Sequence, residues 1–299
     1  MFRETTRRTS YLLLLTAGCL VAADTPAAPT YNFTVFDVPG AVTIFGPAVS
    51  NNGKIAGYYT DSTGATRGYE RLISGQLTFP LIDPNDNQGF TGPAGVNTAN
   101  TIVGEYLNLN GTVFTYHGFF LSNGTWTTWD YPGPYSTGVF GINDKGDFCG
   151  VFGSNASPNQ GFIDVGGVLT AVAVPGATST QLNGINNDGV SVGAYVDSGG
   201  TVHGFIRDAA GNLTSYDYPG SIYTTIAGIN DQGSMSGTYF DASGMEHGFV
   251  TNRRGQPTSI DYPGATATAL GKINNLGWIP GHYVDGSGVW HGLLAKPGR

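Results

Sequence analysis

Ile260-Asp261-Tyr262-Pro263-Gly264, leading into Ala269-Leu270-Gly271-Lys272-Ile273-Asn274, is one copy of a unit that recurs along almost the whole chain. Tyr216-Asp217-Tyr218-Pro219-Gly220 leads into Ala227-Gly228-Ile229-Asn230 in the same way, and Trp129-Asp130-Tyr131-Pro132-Gly133 into Gly141-Ile142-Asn143. The prolines fall at Pro39, Pro84, Pro132, Pro175, Pro219 and Pro263, in steps of 45, 48, 43, 44 and 44 residues. A period of this length leaves few choices. A unit too small to bury its own apolar face must stack on its copies, and forty-odd residues of short strands is the period of propeller blades.

Within the unit, an apolar-x-Gly-x-aromatic run follows the Ile-Asn pair: Ile55/Gly57/Tyr59, Ile102/Gly104/Tyr106, Phe148/Gly150/Phe152, Ser191/Gly193/Tyr195, Met235/Gly237/Tyr239 and Ile279/Gly281/Tyr283. A spacing of two puts these residues on one face of a strand, and the Gly lets a neighbouring ring or backbone come close. Turns with Asp and Gly three apart follow, at Asp61/Gly64, Asp197/Gly200, Asp241/Gly244 and Asp285/Gly288. Asp bonds its own following backbone and Gly accepts a positive φ. A third strand opens with Gly-aromatic, as in Gly118-Phe119 and Gly204-Phe205, and a fourth returns to Asp-Tyr-Pro-Gly. The pattern predicts an all-β fold of six four-stranded units joined by hairpins.

The ends decide between a ring and an open array. The last unit stops after its third strand, at Leu293-Leu294, and the missing fourth strand stands at the other terminus. Phe33-Thr34-Val35-Phe36-Asp37 matches Leu213-Thr214-Ser215-Tyr216-Asp217 position by position. An open array would need distinct capping repeats, whereas a strand of about residues 31–37 that completes the last blade closes the ring and removes its edges. The expectation is a closed six-bladed β-propeller over residues 31–299. The pairing of that strand with Trp290–Leu294 is its test.

Forty-seven Gly and 11% charged residues among 299 fit buried strands and many turns rather than disorder. Residues 1–23 read as an export signal: Arg3, Arg7 and Arg8, an apolar run from Tyr11 to Ala17, then Val21-Ala22-Ala23 as a small-residue cleavage site. Residues 24–30 form a short linker. Leu15-Thr16-Ala17-Gly18-Cys19 is similar to a lipobox, which offers lipidation at Cys19 as the alternative to release, and Thr6-Arg7-Arg8 is similar to a twin-arginine signal. The mass of the mature N-terminus separates these routes. Removing three Arg and one Glu from 13 basic and 21 acidic residues leaves a net charge of −10. An acidic surface without basic clusters excludes nucleic acid as the expected partner, and the apolar run is too short for a transmembrane span. Cys149 alone remains after cleavage and reads as a small buried filler.

The unit, with Gly-Ile-Asn-x-x-Gly and with His117-Gly118-Phe119, His203-Gly204-Phe205 and His247-Gly248-Phe249 opening third strands, resembles the bacterial extracellular HAF repeat over residues 31–294. Members of that family usually carry Ala where this chain has Gly. The resemblance implies a secreted or surface propeller-like protein and no particular activity.

Candidate chemistry meets a bland counterpart at each point. His117, His203, His247 and His291 occupy one column, but their strand lies roughly 9–10 Å outside the innermost one, and neighbouring copies stand too far apart for one metal with bonds of about 2 Å. They read as rings spanning a blade edge and bonding backbone, and no metal or other cofactor is expected. Asp37, Asp83, Asp130, Asp217 and Asp261 recur in nearly every unit, unlike a catalytic pair, and read as fixing the crossovers through backbone N–H groups. The Asp-x-x-Gly turns lack the ligand series of a calcium loop. Trp126, Trp129, Trp278, Trp290, His282, Glu105, Glu246, Arg253 and Arg254 depart from the consensus and carry more information. So does the second unit, with its longer loop from Asn108 to Thr115. Tyr131, Tyr218 and Tyr262 of the crossovers form a candidate aromatic rim for sugar rings, against the alternative that each packs between blades. The expected function is a monomeric, non-enzymatic binding or surface-interaction module for a glycan or a cell-envelope protein, extracellular or periplasmic. The alternative is a polysaccharide hydrolase or lyase, which requires two or three non-repeated polar residues, Glu105 or similar ones, converging at one end of the channel.

Overall fold

The turns that make a blade are written into the repeat. The Asp61 carboxylate accepts hydrogen bonds from the Thr63 and Ala65 amides at 2.8 and 3.2 Å, and Gly64 sits at φ +84°, where a side chain is strained. Asp197, Asp241 and Asp285 repeat the device. The fold is that of a computed structural model describing residues 30–154 and 157–298.

After β1 (Tyr31–Phe36), the first blade is β2 (Ala41–Val49), β3 (Ile55–Asp61), β4 (Thr66–Arg71) and β5 (Leu77–Leu81). The second is β6 (Thr91–Val96), β7 (Ile102–Asn110), β8 (Val113–Ser122) and β9 (Thr125–Trp129). The third is β10 (Ser136–Ile142), β11 (Phe148–Ser154), β12 (Ser157–Val165) and β13 (Val168–Val172). The fourth is β14 (Ser179–Ile185), β15 (Ser191–Val196), β16 (Val202–Arg207) and β17 (Leu213–Tyr216). The fifth is β18 (Tyr223–Ile229), β19 (Met235–Phe240), β20 (Glu246–Thr251) and β21 (Pro257–Ile260). The sixth holds β22 (Ala267–Leu270), β23 (Ile279–Val284) and β24 (Trp290–Pro297). Its outer strand is β1, paired antiparallel with β24 in the register Phe33↔Ala295, Val35↔Leu293 and Phe36↔Gly292. The six four-stranded antiparallel sheets form a six-bladed β-propeller closed by the N-terminal strand, as the repeat predicts.

The two Gly motifs turn out to be one packing device. Gly104 of β7 pairs with Phe119 of β8. A Cβ on Gly104 would stand 2.7 Å from the Phe119 ring and 2.2 Å from the Gly92 carbonyl oxygen. The ring fills the space that the missing side chain leaves. Tyr69, Phe119, Phe162, Phe205, Phe249 and Leu293 hold this position, each at most 1% exposed. Each such side chain contributes about 1.5–3 kcal/mol on burial. Cys149 is a buried filler as expected, and burial pushes its thiol up to about 12, out of reach of thiolate chemistry at neutral pH.

At the axis the six inner strands meet through a column of Ala48, Gly95, Gly141, Gly184, Gly228 and Lys272. A Cβ on Gly184 would lie 3.0 Å from the Gly228 Cα, so the backbones themselves are in contact. The Asn that follows closes one end of the channel. Asn97, Asn143, Asn186, Asn230 and Asn274 each donate from Nδ2 to the backbone carbonyl of the equivalent residue in the next blade, at 2.9–3.2 Å. Each Oδ1 accepts the amide four residues on, fixing its own hairpin. Ser50 stands in the first blade, where Asn52 reaches across to the Thr98 carbonyl instead, at 3.1 Å. This amide belt marks one face. The crossovers and the Asp-x-x-Gly turns mark the other, where the site lies.

Candidate functional site

Both histidine nitrogens matter in the crossover geometry, and their partners are carboxylates rather than the backbone groups expected from the sequence. His203 Nδ1 lies 2.9 Å from Asp217 and Nε2 3.4 Å from Asp197, while the ring stacks on Tyr195 at 5.1 Å. His247 with Asp261 and Asp241, and His291 with Asp37 and Asp285, repeat the clamp. His117 meets Asp130 at 2.9 Å. The crossover Asp therefore holds a histidine, and the crossover backbone is held by a buried threonine instead. The Tyr131, Val174, Tyr218 and Tyr262 amides donate to Thr137, Thr180, Thr224 and Thr268 at 3.0–3.1 Å. Asp83 is the exception: it is 1% exposed and accepts the Asn85 amide at 2.8 Å.

Partial burial pulls the His203 pKa down, but hydrogen bonds and charge from Asp217 and Asp197 outweigh it and leave the group raised. Protonated His203 is therefore favoured in the fold. Its contribution to stability is fully present below an unfolded value of about 6.5 and is lost as pH rises through the folded value. An NMR titration is expected to place the His203 midpoint above 6.5, and Asp217→Asn is expected to lower it. An unmoved midpoint in that variant would remove the carboxylate from the account.

The three rim tyrosines are not brought together. Tyr131 lies flat on Phe152 at 3.6 Å and 3°, Tyr218 on Tyr239 at 3.7 Å and 7°, and Tyr262 on Tyr283 at 3.8 Å and 14°. Each sits in a separate blade junction with one ring face covered by the next blade. Of the other off-consensus residues, His282 and Trp290 stack on each other at 4.8 Å and the rest separate. Trp126 packs edge-on against Phe119, Trp129 against Phe148, and Trp278 under the Lys296 ammonium at 3.9 Å. Arg253 and Arg254 lie in an exposed turn on the belt face. Glu246 opens β20 on the crossover face, and burial raises its pKa. Cys19 and the rest of residues 1–29 lie outside the described residues.

Glu105 behaves differently. The segment Asn108–Thr115, expected as a loop, is strand: β7 and β8 stay paired out to Asn110↔Val113 and form a hairpin longer than its counterparts. Asn108 Nδ2 ties it to the Asn85 carbonyl at 2.8 Å on one side, and the Tyr116 amide ties it to Ser136 Oγ at 3.2 Å on the other. Between this hairpin and the third blade opens a cleft of about 840 Å³. Phe114 and Tyr116 line it from the hairpin, Tyr135 from the crossover, and Phe140 and Gln181 from the inner strands. Phe114 is 60% exposed and Tyr116 36%. Tyr135 leans edge-on against Phe152 at 5.2 Å, and Tyr131 backs it at 6.1 Å.

Glu105 also lines this cleft. Gly138 makes room for it, since a Cβ there would stand 2.5 Å from Glu105 Oε2 and 2.6 Å from the Phe140 ring. Burial pushes the Glu105 carboxyl up to about 7, and no hydrogen bond engages it among the described residues. Asp130, bonded to His117, is a further carboxylate on the wall. Glu105 occupies the position between the Gly and the aromatic of the second strand. Across the blades that position reads Tyr58, Glu105, Val151, Ala194, Thr238 and His282. Its polar members, Thr238, His282, Tyr58 and Glu105, lie on four consecutive blades, the fifth, sixth, first and second. No group of three or more His, Cys, Asp or Glu able to hold a metal occurs among the described residues. Among the same residues, no helix is long and apolar enough to cross a membrane.

No protein-family model matches the chain, and no curated protein matches it. Solved structures align over most of its length. AofleA from Arthrobotrys oligospora gives a TM-score of 0.56 at 12% identity, covering 89% of this chain and 86% of that one. The Aleuria aurantia lectin, a six-bladed β-propeller that recognises fucose, gives 0.52 at 13%, covering 87% and 93%. TolB from Acinetobacter baumannii gives 0.51 at 12%, covering 85% of this chain and 54% of its own. At such identities the likeness is one of fold.

Proposed function

We propose that this chain is an exported carbohydrate-binding propeller that acts as a monomer without catalysis, with the glycan seated in the cleft between the second and third blades. The observation that carries this reading is a wall of accessible aromatic rings beside an unengaged carboxyl, built from residues outside the repeat consensus. A sugar ring offers a C–H face to stack on an aromatic ring and hydroxyls to donate to a carboxylate. The lectins that share the fold support the reading by analogy of scaffold. Membership of the HAF-repeat family, export through residues 1–23 and lipidation at Cys19 belong to the same proposal and rest on the sequence motifs.

A glycan array followed by calorimetry on any hit is the direct test. Tyr116→Ala and Glu105→Gln are each expected to weaken binding at least ~10-fold, about 1.4 kcal/mol. Tyr218→Ala and Tyr262→Ala, far around the ring, are expected to leave affinity unchanged. Absence of any glycan hit, or native affinity in both cleft variants, overturns the reading; binding of a purified cell-envelope protein instead would replace the ligand class.

A second reading rests on Glu105 alone. A carboxyl that keeps its proton near neutral pH is suited to protonating a leaving oxygen. Hydrolase or lyase chemistry also requires a base or nucleophile, and Asp130 is already held by His117. Product formed from a bound glycan, and abolished in Glu105→Gln with binding retained, would select this reading.

A further inference from the structure

Lys272 is the one residue of the axial column larger than alanine. Its backbone packs so closely on the fifth blade that a Cβ on Gly228 would lie 2.7 Å from the Lys272 Cα. The side chain leaves across the channel, and Nζ donates to the Ala94 carbonyl of the second blade at 2.8 Å. Among the described residues this is the only hydrogen bond of Nζ, and no carboxylate pairs with it. An ammonium carries three donors, so two remain unspent.

Lys272 helps to line a cavity of about 170 Å³ between the sixth and first blades, with Phe45, Tyr58, Leu270 and His282. At about 30 Å³ per water this is room for a ligand of several heavy atoms. His282 is 7% exposed, stacked on Trp290 at 4.8 Å and edge-on to Phe45 at 4.9 Å. Neither of its ring nitrogens has a hydrogen-bond partner among the described residues. Burial pulls its pKa down to about 4, so it is neutral and offers one N–H. Tyr58 stacks on Phe45 at 4.8 Å. Burial, then the charge of Glu105, push its pKa up to about 12, and its hydroxyl has no partner either.

We propose that the axial channel holds a small organic carboxylate between the sixth and first blades, with Lys272, His282 and Tyr58 as its hydrogen-bond donors. The cavity is rich in unspent donors and contains a cation without a counter-ion. Burial already disfavours that cation, pulling the Lys272 pKa down to about 8, and an anion beside it is therefore favoured. A carboxylate supplies one negative charge and two oxygens with about four lone-pair sites between them, which answers both deficits. A neutral ligand leaves the charge unbalanced, and a dianion overshoots it. Phe45 and Leu270 give an alkyl group an apolar wall. Glu105 neighbours Tyr58 rather than Lys272, so it does not supply the counter-charge. This site shares no lining residue with the glycan cleft between the second and third blades, although Glu105 of that cleft neighbours Tyr58, and it does not depend on the glycan reading.

The test is a titration of the folded protein with sodium acetate at constant ionic strength in sodium chloride, read by backbone amide shifts. Saturable shifts are expected in residues around 45–47, 58, 270–272 and 281–282. In Lys272→Gly, which restores the glycine of the column, the apparent affinity is expected to fall at least 10-fold, and in Tyr58→Phe several-fold. Lys272→Met, which keeps the length and removes the charge, gives the same reading if the glycine variant does not fold. Absence of saturable shifts in the native protein overturns the proposal, as does native acetate affinity in the Lys272 variants. Shifts of the same residues by sodium chloride alone would show an unselective anion site and overturn the carboxylate assignment.

Discussion

Asn186→Ala is expected to destabilise the protein by about 3–5 kcal/mol, measured by denaturant unfolding. Its side chain donates to the Asn230 carbonyl and accepts the Asp188 and Val190 amides, all at 3.0–3.2 Å, and is 5% exposed. Alanine leaves three backbone groups without these partners, and an unmade hydrogen bond of a buried group costs about 1–3 kcal/mol. Water entering from the belt face offsets part of the sum, so the middle of the range is the expectation. Exposed Asn212 bonds within one turn, and Asn212→Ala is expected to stay within about 0.5 kcal/mol. Equal effects at the two sites would show that the belt is ornament to a ring held by its blade interfaces alone.

Removing residues 31–36 is expected to have the larger effect, the loss of cooperative unfolding. It takes away β1, leaves β24 as an open edge, and uncovers the hole above Gly292, where a Cβ would stand 2.7 Å from the Phe36 ring. Phe36 is buried, and Tyr31 and Phe33 are half-buried. Burying such side chains contributes about 1.5–3 kcal/mol each at most, before the backbone ladder is counted. Against a total stability of about 5–15 kcal/mol, the sum is most of the margin. Because the deletion alone could fail for trivial reasons, the informative measurement is rescue. A peptide of residues 30–38 added in trans is expected to restore a cooperative transition saturably, and a peptide with Phe36→Ala to do so more weakly. A truncated chain that unfolds like the native one would separate ring closure from stability.

The architecture was legible because its signals are local and repeated. The period, the turn chemistry of Asp61/Gly64, and the match of Phe33–Asp37 to Leu213–Asp217 all survive in a single sequence. The belt was visible only as a column. Asn143 and Asn186 are conspicuous in the Ile-Asn pairs, but their acceptors lie one blade away, and no spacing within a unit points to them. The same holds for Thr137 and Thr224, whose partners are the crossover amides. The histidines were assigned to the right edge with the wrong partners, since Asp217 stands 14 residues from His203 and becomes its neighbour only when strands three and four pair. At the candidate site, Glu105 announced itself by breaking its column. Lys272 broke the axial Gly column as plainly, and its meaning needed the third dimension: only the closed ring places Ala94 opposite it. The cleft had one trace in the sequence, the extra length between Asn108 and Thr115.

The belt runs one way around. Every Asn hands its donor to the following blade and receives one from the preceding blade, with Asn52 bridging where Ser50 interrupts. Such a cycle has no partial sizes. A residue inserted into an inner hairpin would leave one donor pointing past its acceptor, whereas a whole added or deleted repeat returns every donor to a partner. Kindred chains should therefore grow and shrink in quanta of one blade. Finer variation is confined to the opposite face, where the lengthened β7–β8 hairpin already shows it, and new recognition can be tried there without disturbing the ring.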